Sequence, residues 1–256
     1  MLEWLGDVIG GDMTQLVQPN AVARRAGSLR LSLLGDWRLE RDGTPISLLH
    51  RERQLIALLA LHGSRQRSYV AGLFWPEVDE ARARASLRQV LAGIRRQVPE
   101  AVVVVGDSLS LAPGIRTDVD KVRDWCRRVH ASGSSLRARD AVEALQVLGG
   151  PELLIGEFDD WVLVERERIQ RNRLLALEML SRRLSDLNEV PYAVAACEYA
   201  ADLEPLREGP VRMLVHIHLK HGNRVDAQHA YESFKRRLRA YLDADPSPEL
   251  TALLQA

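Results

Sequence analysis

Only two cysteines, Cys126 and Cys197, occur in 256 residues, which excludes a disulfide framework and favours a reducing compartment. Long apolar runs are also missing. No stretch approaches 18 uninterrupted apolar residues, so no membrane partner or membrane span is expected. The opening MLEWLGDVIG carries two acids and no lysine or arginine, unlike the basic start of a secretory signal, and a cytoplasmic protein follows as the expectation. The chain also lacks GxSxG, HExxH and the kinase motif set, which leaves an enzyme as the least supported class. What is present is ordinary: 46% hydrophobic and 27% charged residues are globular proportions, and the length suits one large domain or two ordinary ones.

Net charge is zero, yet its distribution is uneven. Residues 29–118 hold 13 basic against 10 acidic side chains, and between Ala81 and Val98 five arginines occur with no acid. Such a concentration attracts polyanions, whereas a solvated helix face usually mixes both signs.

Residues 1–28 show no sustained periodicity and read as a mobile extension, with one short amphipathic turn around Leu2 to Ile9. From Leu29 the apolar period becomes two (Leu29, Leu31, Leu33; Trp37, Leu39; Ile46, Leu48), broken at Gly35-Asp36 and Asp42-Gly43, which predicts three short antiparallel strands. HRERQLIALLALHG then has helical spacing, with Leu55, Leu58, Leu59 and His62 on one side and a stop at Gly63. A short helix over Ser68 to Trp75 ends at Pro76. A longer one after the acids Glu77, Asp79 and Glu80 carries the stripe Ala83, Leu87, Val90, Leu91, Ile94 and Val98. AVVVV, Gly106-Asp107 and SLSL form a hairpin. This order is that of a winged helix-turn-helix with an extra N-terminal sheet.

Beyond Asp118 the pattern predicts helices at 119–131, 136–148, 159–187, 191–203, 208–221, 225–242 and 248–255. An offset of 34 residues matches Met179 with Met213, Leu180 with Leu214, Ala193 with Ala227, Ala196 with Ala230, and Glu198 with Glu232. That is the tetratricopeptide period, with small residues where paired helices approach closely. The Phe-type site holds Cys197 in one copy and Tyr231 in the other, so neither copy is a perfect match. The expected fold class is an α+β winged helix-turn-helix at 29–118 followed by an all-α tetratricopeptide-like domain at 119–256.

The opening LRLSLLGDWRLERDGTPISL, the run RQLIALLALHG, the block YVAGLFWPEVDEARARASLRQVLAGIRRQ, the helix WVLVERERIQRNRLLALEMLSRRL after GEFDD, and ADPSPEL resemble the Streptomyces antibiotic regulatory proteins. Small members of that family join an OmpR/PhoB-type winged helix to a bacterial transcriptional activator domain. The resemblance implies an activator of a secondary-metabolite gene cluster, bound side by side as two copies on direct repeats of double-stranded promoter DNA and associated with the nucleoid. It further implies contact with RNA polymerase through its sigma factor, alpha C-terminal domain or beta subunit. No GxxxxGK[ST] loop occurs, and 28 residues before the winged helix are too few for a receiver domain, so control by ATP or by aspartyl phosphorylation within the chain is not expected. A protein-interaction scaffold whose winged helix does not bind DNA is the alternative.

At about 100° per residue, Arg82, Ala85, Gln89, Ala92 and Arg96 lie opposite the apolar stripe, with Ser86 and Arg88 at the margins and Arg84 nearer the core. Arg82 and Gln89 are the candidates for base edges, since arginine reads guanine and glutamine reads adenine bidentately. Arg84, Arg88, Arg95 and Arg96 suit phosphates, and an ion pair to Glu77 or Glu80 is the structural alternative for any one of them. Arg65, Arg67, Ser68 and Tyr69 are candidate backbone contacts, or else an ordinary cap and loop. Asp107 at the hairpin tip would repel phosphate, leaving Ser108 or Arg116 as the nearer candidates. His216, His218 and His221, like Cys126 with His130, lack the further ligands of a metal site and read as core or surface residues. Glu157, Asp159 and Asp160 read as helix-capping acids ahead of Trp161. No cofactor or metal is expected.

Overall fold

A computed structural model of the chain describes residues 28–131 and 137–255. Apart from Ser28, the expected N-terminal extension and its amphipathic turn lie outside those residues. So does residue 136, where one helix was expected to begin.

The alternating leucines make β1 (Leu29–Ser32), which pairs antiparallel with β2 (Arg38–Arg41), Leu31 opposite Leu39, both buried. Asp42 and Gly43 then take positive φ, 50° and 82°, as a tight two-residue hairpin turn requires, before β3 (Thr44–Pro45). The sheet is not purely antiparallel. β7 (Arg116–Thr117) lies parallel beside β1, giving the order β3-β2-β1-β7. A second sheet combines β4 (Arg65–Gln66) with the hairpin of β5 (Val102–Val105) and β6 (Ser108–Leu111), in the order β4-β6-β5.

Between the sheets lies α1 (His50–His62), which departs from the one-sided burial expected of it. Gln54 to Leu59 are all buried, because β6 and α3 flank the helix while the helical half of the chain closes over its end. α2 is Arg67–Phe74 and α3 is Glu80–Gln97. The expected stripe of α3 is buried at Ala83, Leu87 and Ile94, with Val98 just beyond, while Val90 and Leu91 are only half-buried at its margins.

After α4 (Asp118–His130) and α5 (Ala138–Leu148), the long α6 (Asp160–Asp186) begins a succession in which each helix packs on the next: α7 (Val190–Leu203), α8 (Glu208–Lys220) and α9 (Arg224–Leu242), closed by α10 (Pro248–Leu253). Burial follows the 34-residue period in part, since Leu214 and Ala230, the matches of the buried Leu180 and Ala196, are only half-buried. Leu180, Ala193, Ala196, Cys197 and Ala200 in one pair, and Ala227, Tyr231 and Phe234 in the next, are buried where the helices meet. The chain is thus helix-rich, a small N-terminal sheet region followed by a helical domain. No helix of the described residues is long and apolar enough to cross a membrane.

The apolar core does not stop at residue 118. One cluster of buried side chains runs from Leu29 to Ile217. The Asp118 carboxylate accepts the backbone N–H groups of Leu33, at 2.9 Å, and Leu34, at 3.0 Å, and Arg123 donates to the Leu61 carbonyl at the end of α1 at 2.7 Å. Phe74 and Trp161 meet with ring centroids 6.4 Å apart.

Candidate nucleic-acid interface

α3 begins where Asp79 turns its carboxylate back to accept the N–H of Arg82, at 2.9 Å, satisfying one orphan amide of the first turn. From there 3.6 residues per turn sort its outward side chains into two flanks. Arg84, Arg88 and Arg95 lie on the flank that faces the hairpin. Arg67, at the start of α2, completes that group, and its position follows from a two-residue strand: β4 pairs with β6, and the N–H of Arg67 donates to the Asp107 carbonyl at 2.9 Å.

Two clefts result. Arg67, Arg88, Arg95 and Arg96 line one of about 320 Å³, with Leu91 and the inward Val102 and Val104 as its apolar wall. Arg67, Arg84 and Arg88 line another of about 340 Å³, against Gly106 and Asp107 of the hairpin turn. Arg67, Arg88, Arg95 and Arg96 make no ion pair among the described residues, and the buried Nε of Arg67 has no hydrogen-bond partner there. Four guanidinium groups without ion pairs in adjoining clefts, the second of which Asp107 also lines, are a receptacle for anions.

Ser86 and Gln89 face the other way, into a cleft with Leu49, Arg51 and Trp75 that Ala92 and Arg96 also border. Arg82 and Arg84 are held by acids of their own helix start, Arg82 at 3.3 Å from Asp79 and Arg84 at 2.6 Å from Glu80. The ion pairs therefore use Asp79 and Glu80, not Glu77. Arg65 lies over the ring of Tyr69, 5.6 Å from its centroid, and Tyr69 and Ser68 are exposed on the first turn of α2. Ser68 does not cap that helix; Gln66 stands at the cap and makes no side-chain bond. Ser108 is half-buried at the start of β6, and Arg116 belongs to the other sheet, so neither lines the arginine clefts. The part played by β4 was not visible in the sequence, because a two-residue strand has no periodicity of its own.

The family model for the bacterial transcriptional activator domain matches residues 117–256, more than half of the chain. The chain belongs to that family. The regulatory protein AfsR of Streptomyces griseus is 26% identical over 257 residues, covering 92% of this chain and 25% of AfsR. Mycobacterium tuberculosis EmbR, solved in complex with a low-affinity phosphopeptide, shares the fold with a TM-score of 0.67 at 21% identity, over 90% of this chain and 64% of that one. This chain thus spans a quarter of AfsR and under two thirds of EmbR. The domain match and the AfsR similarity support the resemblance to the Streptomyces antibiotic regulatory proteins.

Within the activator domain the other marked residues separate. Burial pushes the Cys126 thiol up to about 11, and it donates to the Asn172 carbonyl at 3.6 Å. His130 turns Nδ1 to the Cys126 carbonyl, 2.7 Å away. His216 is exposed, and His218 and His221 are half-buried. Asp159 occupies the N-cap position of α6 without making a side-chain cap bond, against the capping role expected of it. Its carboxylate instead receives the amide of Gln54.

Proposed function

We propose that the chain is a DNA-binding transcriptional activator in which residues 29–118 act as a winged helix-turn-helix and residues 119–256 hold RNA polymerase. The observation that carries this reading is the group Arg67, Arg88, Arg95 and Arg96: without ion pairs among the described residues, beside a hairpin, and set around a helix whose centre, Ala85 and Ala92, is small enough to lie close to a groove floor. In this reading the hairpin-side flank, Arg67, Arg84, Arg88 and Arg95, seats phosphates. Arg82 and Gln89 on the opposite flank read base edges, and Arg96 stands between. The acids holding Arg82 and Arg84 are solvent-exposed partners, whose pairs contribute about 0.2–1 kcal/mol and are readily exchanged for DNA.

Two copies are proposed to bind side by side on direct repeats at the promoter of a secondary-metabolite gene cluster. The helical domain would then contact the sigma factor, alpha C-terminal domain or beta subunit of the polymerase. Stacked helix pairs expose a continuous surface suited to a protein partner.

Gel shifts on promoter and random DNA across a salt series test the reading. Arg88→Ala and Arg95→Ala are expected to weaken both DNAs alike and to reduce the salt slope by about one each, whereas Arg82→Ala or Gln89→Ala costs about 1–3 kcal/mol of discrimination. Binding that ignores all four changes would leave the scaffold reading in its place.

A further inference from the structure

Among the described residues, His50, Glu157 and Asp159 are the group of three potential metal ligands whose donor atoms all lie within 4.8 Å of one another. They come from distant parts of the chain. His50 is the first residue of α1, and the two acids precede α6. We propose that they bind a divalent transition-metal ion of the zinc or cobalt type, which joins the start of α1 to the start of α6.

The separation of His50 from Glu157 fits an ion better than it fits a direct contact. His50 Nδ1 lies 3.6 Å from Glu157 Oε1, too long for a hydrogen bond. Two ligands each about 2.1 Å from a tetrahedral ion stand about 3.4 Å apart. The cation already near the acids does not replace the ion. Arg51 Nη1 is also 3.6 Å from Asp159 Oδ1, and that guanidinium is engaged elsewhere, donating to Gln54 Oε1 at 2.6 Å and lying over the Phe74 ring at 5.6 Å.

The carboxylates are held from behind, as ligands usually are. Gln54 is 3% exposed and its amide donates to Asp159 Oδ2, so that Oδ1, which also lies 3.6 Å from Arg51, is the oxygen left for an ion. Arg166 donates to the Glu157 carbonyl at 2.9 Å and so fixes the turn that presents the Glu157 side chain. Asp159 caps nothing, so the usual role of an acid at that position is not in competition. One imidazole and two carboxylates select borderline metals over magnesium or calcium, which take all-oxygen sets. With His50 half-exposed, water completes the coordination.

The test of this site needs no DNA. The full-length chain, stripped with a chelator, is titrated with Zn²⁺, Co²⁺ and Mg²⁺ by calorimetry, with the melting temperature followed in parallel. One Zn²⁺ or Co²⁺ per chain in the micromolar range is expected, with a rise in melting temperature of about 5 °C at a hundredfold excess over Kd. His50→Ala and Asp159→Asn should each weaken binding by more than about tenfold, the least that losing even an outer partner brings. Arg51→Gln removes the nearby positive charge and should tighten it, a gain that misfolding cannot imitate. Undiminished binding in His50→Ala, equal binding of Mg²⁺, or no binding at about 100 μM Zn²⁺, far above a micromolar Kd, would overturn the site.

Discussion

His62 ends α1 in a pocket built by both halves of the chain. Its Nε2 is 3.2 Å from Glu165 of α6, and its ring meets the edge of Trp161 at 6.1 Å. Burial holds its pKa below the ordinary 6.5, with Arg65 and Arg168 acting in the same direction and Glu165 against them. The folded chain therefore takes up this proton at lower pH than the unfolded chain does. The stabilising contribution is complete above about pH 6.5 and is lost as pH falls through the folded value. Comparing urea midpoints at about pH 7.5 and about pH 5.5 should show a larger fall for the wild type than for His62→Gln, since glutamine keeps a polar partner for Glu165 but does not titrate. Parallel falls in the two proteins would mean that other groups set the acid sensitivity.

Helices were the most readable elements, and two glycines show where reading a helix by itself fails. Gly72 lies within α2 with nothing within 4 Å of where a Cβ would stand, so Gly72→Ala should raise stability by about 0.5–1 kcal/mol through helix propensity alone. Gly93 lies within α3 under the same local rule, yet a Cβ there would overlap the buried carboxyl of Glu52. That carboxylate accepts the Leu49 N–H at 2.9 Å and so closes the first turn of α1. Gly93→Ala should therefore lower stability by about 1–3 kcal/mol. Urea titrations of the two variants check the opposite signs, and a stabilised Gly93→Ala would show that Glu52 moves aside freely.

The same contrast explains what the sequence left hidden. Spacing of apolar residues located α4 through α9 to within a residue or two, because a helix writes its period locally. β4 and β7 have two residues each and exist only through partners 42 or more positions away, Leu109 for Arg65 and Arg30 for Arg116. α1 looked one-sided because Gln54 and Glu52 are polar, although both are buried by tertiary partners. At the candidate interface the arginines were legible from the missing acids, but their division into a hairpin-side flank and a Gln89 flank depends on where β5 and β6 dock.

At the scale of the whole molecule, the N-terminal sheet region and the helical domain share one core and several polar contacts. Leu34 bridges to Leu153, and the N–H of Leu154 donates to the Leu33 carbonyl at 2.8 Å, so the irregular stretch before α6 continues the edge of the first sheet. Arg123 meets the C-terminal carbonyls of α1, and Trp161 packs on Phe74 of α2. Removing residues 119–256 would uncover the apolar side chains that Trp161 and its neighbours bury and would leave the α1 carbonyls to water. The whole chain is expected to unfold in a single transition, with tryptophan fluorescence and far-ultraviolet circular dichroism giving the same midpoint. A fragment of residues 29–118 is expected to expose apolar surface and bind a hydrophobic dye, so loss of activation by such a fragment would not isolate the helical domain's role. Substitutions at exposed helical positions such as Glu198 or Arg236, made in the intact chain, test the proposed polymerase contact apart from the proposed DNA binding without that loss of structure. Two resolved transitions, or a 29–118 fragment as resistant to urea as the intact chain, would show instead that the shared core contributes little and that the two halves stand alone.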